Sequence, residues 1–154
     1  MREQLEILTK SDKETKKLAR NFAKILIKEN QGMEAMVISM EGDLGAGKTT
    51  FTQGFAEGLG IKEKIQSPTF VILKIYPLRR RTFLARQFIH VDAYRLGSKD
   101  FAVLGWQDFV KNNHNIMVVE WGDKIKTILP KNSIRIVFAH QKNPKHRLIK
   151  FLEK

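Results

Sequence analysis

Residues 42–50 read Gly-Asp-Leu-Gly-Ala-Gly-Lys-Thr-Thr, and Gly42 to Thr49 fit the pattern G-x-x-x-x-G-K-[ST] without a gap. No other feature constrains the fold as tightly, because this loop works only between a buried strand and the start of a helix. Its glycines let the backbone curl until several N–H groups face one point, which a residue with a Cβ resists. The helix that follows contributes free N–H groups and the positive end of its dipole. By composition alone, four fixed positions recur in about one chain of this length in 200, so the flanking residues decide. They comply: Ala35-Met36-Val37-Ile38-Ser39-Met40 is the apolar run of a strand buried on both faces, and Phe51, Phe55 and Leu59 recur at helical spacing. Asp43, Leu44, Gly45, Ala46, Gly47, Lys48, Thr49 and Thr50 are therefore the expected binders of a nucleoside triphosphate. Lys48 reaches the β- and γ-phosphates, and the Thr49 hydroxyl ligates Mg²⁺. The guanine-reading tetrapeptide Asn-Lys-x-Asp does not occur, so ATP is favoured over GTP.

The other elements follow from pattern. Ser11 and Glu14 form a capping box ahead of Leu18, Ala19, Phe22, Ile25 and Leu26, which predicts a helix over 12–29 ended by Gly32. Gly58 and Gly60 close the helix after the phosphate loop. Phe70 to Tyr76 and Phe83 to Val91 read as two strands of a hairpin with Arg79-Arg80-Arg81 at its wet tip. Residues 98–112 have helical spacing with Ser98 as N-cap, and Trp106 and Phe109 belong in the core. Ile116 to Val119 is a second buried strand. Ile134 to Ala139 and Leu148 to Leu152 form a further hairpin around Asn143-Pro144. Parallel central strands with hairpin-linked outer ones predict an α/β fold, a three-layer sandwich in which helices flank a mixed sheet.

At 154 residues the chain has the length of one domain, 1–154, with no linker or repeat. It has no cysteine, hence neither disulfides nor thiolate metal sites. No apolar stretch is long enough to span a bilayer, and the charged start lacks the apolar run of a signal peptide, so a cytoplasmic protein is expected. The net charge of +12 favours contact with a polyanion such as RNA, although the basic residues are scattered and no cluster alternates with aromatic residues.

Mg²⁺ beside the phosphates needs an acid at the end of a neighbouring strand. Glu120 ends Ile116 to Val119, and Asp92 ends Phe88 to Val91. Either could hold the metal or orient the attacking water. An isolated acid at a strand end often just meets solvent, but two of them beside a phosphate loop make that less apt. His90 has no second histidine nearby in sequence and reads as a structural hydrogen-bonder.

The phosphate loop, Ser67-Pro68-Thr69-Phe70, His90-x-Asp92-x-Tyr94-Arg95-Leu96, Leu104-Gly105, Glu120-Trp121 and Leu129-Pro130 occur in the order found in the bacterial TsaE (YjeE) family, which the chain resembles over about residues 11–130. The resemblance implies a P-loop ATPase of tRNA threonylcarbamoyladenosine synthesis. Such a protein uses Mg²⁺ and ATP to support turnover of a TsaB–TsaD complex that modifies a tRNA adenosine. It further implies catalytic roles for Lys48, Asp92 and Glu120, metal ligation by Thr49 and Glu120, and a γ-phosphate-sensing loop at Ser67 to Phe70. It places Thr9 to Ser11 near adenine. Trp121 is expected to cover the nucleotide or meet the partner. Tyr94 and Arg95 are expected to fix the loop bearing Asp92, Arg95 through a salt bridge more readily than as an arginine acting in cis on the γ-phosphate. Two departures stand out: Gly122-Asp123 replaces the usual Pro-Glu, and Phe101-Ala102-Val103 replaces acidic residues before Leu104-Gly105. A small-molecule kinase, with Asp92 deprotonating an acceptor hydroxyl, is the first rival reading, although no arginine-rich lid is evident. A non-enzymatic RNA-binding switch is the second.

Overall fold

The computed structural model describes residues 4–30, 32–68, 70–80 and 83–152. Thr69 of the Ser67 loop and Arg81 of the hairpin tip lie outside them. Seven strands, β1 (Gln4–Thr9), β2 (Met36–Glu41), β3 (Leu73–Pro77), β4 (Gln87–Asp92), β5 (Asn115–Glu120), β6 (Ile134–His140) and β7 (Arg147–Leu152), form one sheet in the order β1-β7-β6-β2-β5-β4-β3. The four central strands are parallel, and β3 and β7 run antiparallel to their neighbours, as expected from the two hairpins. No helix among the described residues is long and apolar enough to cross a membrane.

Alternation along the central strands divides the core in two. Ile38, Met40, Phe88, Ile116 and Val118 face helices α1 (Asp12–Glu29) and α2 (Lys48–Gly58). Val37, Ile89, Val91, Met117 and Val119 face the short helices α3 (Ser98–Val103) and α4 (Trp106–Lys111). Three layers result. On the first face α1 and α2 touch almost backbone to backbone. A Cβ on Gly54 would stand 2.4 Å from the Lys16 carbonyl oxygen, and one on Gly58 would stand 2.5 Å from that of Arg20. Gly58 is thus a packing residue, facing α1 from the last position of its helix.

Helix α1 begins as predicted. The Ser11 hydroxyl accepts from the Glu14 amide at 3.1 Å, and the Glu14 carboxylate reaches back to the Lys10 amide at 2.7 Å. Its end comes earlier than Gly32, at the cap Asn30, and Ile25 faces solvent at 56 % exposure. Three other expectations are corrected. Strand β3 starts at Leu73 because Pro68 to Ile72 is a turn in which the Ile72 amide donates back to the Pro68 carbonyl. Strand β4 starts at Gln87, later than Phe83. The stretch 98–112 is two helices, since Gly105 takes a left-handed φ of 78° between them. Gly97, not Ser98, caps the first, its amide donating to the Asp100 carboxylate, while the Ser98 hydroxyl bonds Thr127. Strand β1, at the sheet edge, had no counterpart among the expected elements.

Candidate functional site

All four parallel strands point their C-terminal ends the same way, so the loop after β2 and the last residues of β4 and β5 meet at one edge, the usual ligand-binding edge of such sheets. There a cleft of about 280 Å³ is lined by Leu44, Gly45, Gly47, Lys48, Thr49 and Thr50 from the loop and helix start. Ser67, Asp92, Tyr94, Glu120 and Trp121 line it from one side, and Asp12 and Arg147 from the other. Of the predicted loop residues, Asp43 and Ala46 are not part of the lining. The Ala46 amide donates inward to the Asp43 carbonyl at 3.1 Å, which closes the curl. Gly47, at φ 105°, caps α2 in a conformation that a side chain would strain.

Lys48 is buried, and burial lowers its pKa from the ordinary lysine value against the raising influence of Glu120, Asp123, Asp43 and Asp92. Its ammonium donates to the Gly42 and Asp43 carbonyls, the latter at 2.9 Å, and lies 4.0 Å from the centre of the Trp121 indole. A buried cation held only by carbonyls and an aromatic face is well placed to accept an anion.

The two acids stand side by side, for Asp92 and Glu120 pair in register across β4 and β5. Glu120 uses both oxygens. Oε1 accepts from the Thr49 hydroxyl at 2.7 Å, and Oε2 lies 2.6 Å from His90 Nε2. His90, with no exposed surface, is the hydrogen-bonder its sequence context implied, and its partner is the very carboxylate expected at the metal. Asp92 accepts from the Tyr94 amide at 2.8 Å and from the Ser67 hydroxyl at 3.0 Å. Tyr94 thus fixes the Asp92 loop through its backbone. Arg95 makes no carboxylate pair among the described residues, and its guanidinium stacks 4.8 Å from the ring of Phe70. Phe70 itself is 85 % exposed.

Trp121 leaves β5 in a left-handed conformation, φ 61°, that few non-glycine residues adopt. That turn carries its indole over Lys48 and 5.0 Å from the Tyr94 ring. The departure at position 122 has a local cause. A Cβ there would come within 1.9 Å of Ser39 Oγ, so the Gly122 backbone lies directly on β2. Sequence reading missed Asp12 and Arg147 as cleft residues. Each lies far from the motifs, and the usable signal was the register that sets Arg147 opposite Thr9, just ahead of Asp12.

Oxygen donors of this kind, a hydroxyl and a carboxylate in contact with a second carboxylate alongside, suit Mg²⁺, which takes few protein ligands and completes its shell with phosphate and water. Among the described residues no three His, Asp or Glu side chains form a cage that would hold a metal unaided.

Comparisons with known proteins agree with this geometry. The family described as "Threonylcarbamoyl adenosine biosynthesis protein TsaE" matches residues 9–149. The tRNA threonylcarbamoyladenosine biosynthesis protein TsaE of Treponema pallidum is 40% identical over 104 residues, 67% of this chain and 72% of that protein. The protein of the same name from Haemophilus influenzae is 32% identical over 121 residues, 78% of this chain and 72% of its own length. The crystal structure of Bacillus subtilis YdiB superposes with a TM-score of 0.70 at 32% identity, covering 99% of this chain and 86% of that one. With a match that spans the phosphate loop, both strand-end acids and the terminal hairpin, the chain belongs to the TsaE family.

Proposed function

We propose that this chain binds and hydrolyses ATP with Mg²⁺ and that its turnover serves the threonylcarbamoyl modification of a tRNA adenosine through a TsaB–TsaD complex. The observation that carries the reading is the convergence of Lys48, Thr49, Glu120 and Asp92 on one cleft. The curled loop from Gly42 and the start of α2 cradle the β- and γ-phosphates, and the Lys48 ammonium exchanges carbonyl partners for phosphate oxygens. Thr49 and Glu120 hold Mg²⁺, whose charge offsets that building up on the transferring phosphoryl group. Asp92 orients the attacking water. Both of its oxygens are tied to flanking segments, one to the Tyr94 amide and one to the Ser67 hydroxyl, so its direction depends on the Ser67 loop. A partner that engages exposed Phe70, three residues on, would reset Asp92 through that bond. Membership of a family named for threonylcarbamoyladenosine synthesis supports the tRNA step. The basic surface, +12 overall, suits proximity to tRNA.

Incubation of the purified protein with Mg²⁺ and ATP, and no acceptor, tests the reading. ADP and phosphate should appear slowly and faster with the partner complex present. Transfer to an added small-molecule hydroxyl with no release of phosphate would identify a kinase instead.

A further inference from the structure

The phosphate-loop motif accounts for one end of the cleft and leaves the other unexplained. Arg147 opens β7, in register with Thr9 of β1 and His140 of β6. Its side chain leaves the sheet and lies on the phosphate loop, with Cδ and Nε each 3.2 Å from where a Cβ on Gly47 would stand. Nη1 donates to the Pro144 and His146 carbonyls, the latter at 3.0 Å, and Nε is buried with no acceptor among the described residues. Beside it, His140 Nε2 lies 3.1 Å from the Leu44 carbonyl. The β6–β7 hairpin therefore forms a wall of the cleft and grips the loop from outside.

From this we infer that Arg147 binds the nucleoside end of the triphosphate, its guanidinium plane serving as the platform on which the adenine base stacks. The proposal rests on the ATP reading above and adds what recognises the base. Direction comes from the cleft itself. Ser67, Asp92 and Glu120 line one side, Asp12 and Arg147 the other, and Lys48 and Thr49 the floor between them. A chain of phosphates whose last group faces Asp92 leaves its nucleoside toward Arg147. Asp12 reinforces this polarity, because a carboxylate repels phosphate but accepts hydrogen bonds from a ribose hydroxyl or an exocyclic amine. Arg147 cannot turn to chelate a phosphate with both arms while Nη1 is tied to its own turn. What it offers the cleft is a flat face, and a guanidinium face stacks on aromatic rings where an ammonium does not.

Calorimetric titration of Mg²⁺·ATP and of inorganic tripolyphosphate into the wild type, Arg147→Ala and Arg147→Lys separates the possibilities. The wild type should bind ATP more tightly than tripolyphosphate. Arg147→Ala should lose about tenfold in ATP affinity, the scale of one stacked base, and keep its tripolyphosphate affinity within about twofold, which also shows that the variant is folded. Arg147→Lys, with the charge but not the plane, should match Arg147→Ala. Equal loss for both ligands, an unchanged ATP affinity, or full rescue by lysine overturns the assignment. Failure of the wild type to bind either ligand would instead remove the ATP reading.

Discussion

Thr49 donates its hydroxyl hydrogen to Glu120 Oε1 across 2.7 Å, joining the phosphate loop to the end of β5 over a separation of 71 residues. The bond holds both expected metal ligands in one place before any cation arrives. Glu120→Gln keeps this geometry but removes the charge, so ATP should bind through the backbone curl while Mg²⁺ dependence and hydrolysis collapse. Asp92→Asn should spare Mg²⁺ affinity and lower the hydrolytic step. Measuring the Mg²⁺ concentration for half-maximal activity in both variants decides the assignment, and a larger shift in Asp92→Asn reverses it.

His90 acts on that metal site through Glu120, to which it is bonded at 2.6 Å in a fully buried position. His90→Phe keeps the ring and its packing near Phe88 and frees Glu120 Oε2. Loss of such an outer partner lowers metal affinity about tenfold or more. The half-saturating Mg²⁺ concentration should rise accordingly while ATP affinity in EDTA stays the same. A variant with normal Mg²⁺ response would reduce His90 to a packing residue.

The crossing of α1 and α2 gives a prediction about stability alone. Alanine at Gly54 should gain about 1 kcal/mol in helix propensity. Its Cβ, however, would stand 2.4 Å from a backbone oxygen of Lys16, and backbone moves less easily than a side chain. Overpacking of this kind costs about 1–3 kcal/mol, and the helices must part to relieve it. Gly54→Ala should lower Tm by about 4–8 °C, as a net loss of ~2 kcal/mol does in a domain of this size. An unchanged or higher Tm would mean the two helices are free to separate.

Much of this was legible in the sequence where burial and chemistry coincide. Strands β2 and β5 are apolar runs because both faces of a central parallel strand are covered, and a run of that kind has few other uses. The phosphate loop is legible because its conformation demands particular residues. Legibility ends at edges and turns. Strand β1 has only one neighbour, and Leu5 and Leu8 remain exposed, so its pattern lacks a clear apolar face. The expected strand at Phe70 failed because its apolar residues belong to an exposed turn, where apolarity serves something other than the core. Ile25 has the right spacing for α1's buried face but falls outside it, since the buried stripe follows Thr15, Ala19, Ala23 and Leu26. Arg147 and the bond between His90 and Glu120 depend on register between distant strands, which one sequence does not spell out.

The link from Ser67 to Asp92 predicts how partners act. The isolated protein should hydrolyse ATP slowly, and TsaB–TsaD should accelerate it, since a group supplied or reset in trans is worth up to about 10³–10⁵ in phosphoryl transfer. Ser67→Ala should blunt the acceleration more than the basal rate. Single-turnover hydrolysis with and without the complex reads both, and a fast basal rate indifferent to the partners would show a site already complete.

The account stands most directly on equilibrium binding of ATP to the purified wild type and Lys48→Ala, each titrated with Mg²⁺ and with EDTA. Lys48 supplies the cation at the centre of the loop and points into the cleft, so the variant should fold normally. Saturable one-to-one binding to the wild type, tighter with Mg²⁺, and its loss or strong weakening in Lys48→Ala are the predicted results. ATP affinity unchanged by the substitution and indifferent to Mg²⁺ would contradict the assignment of this cleft as the nucleotide site.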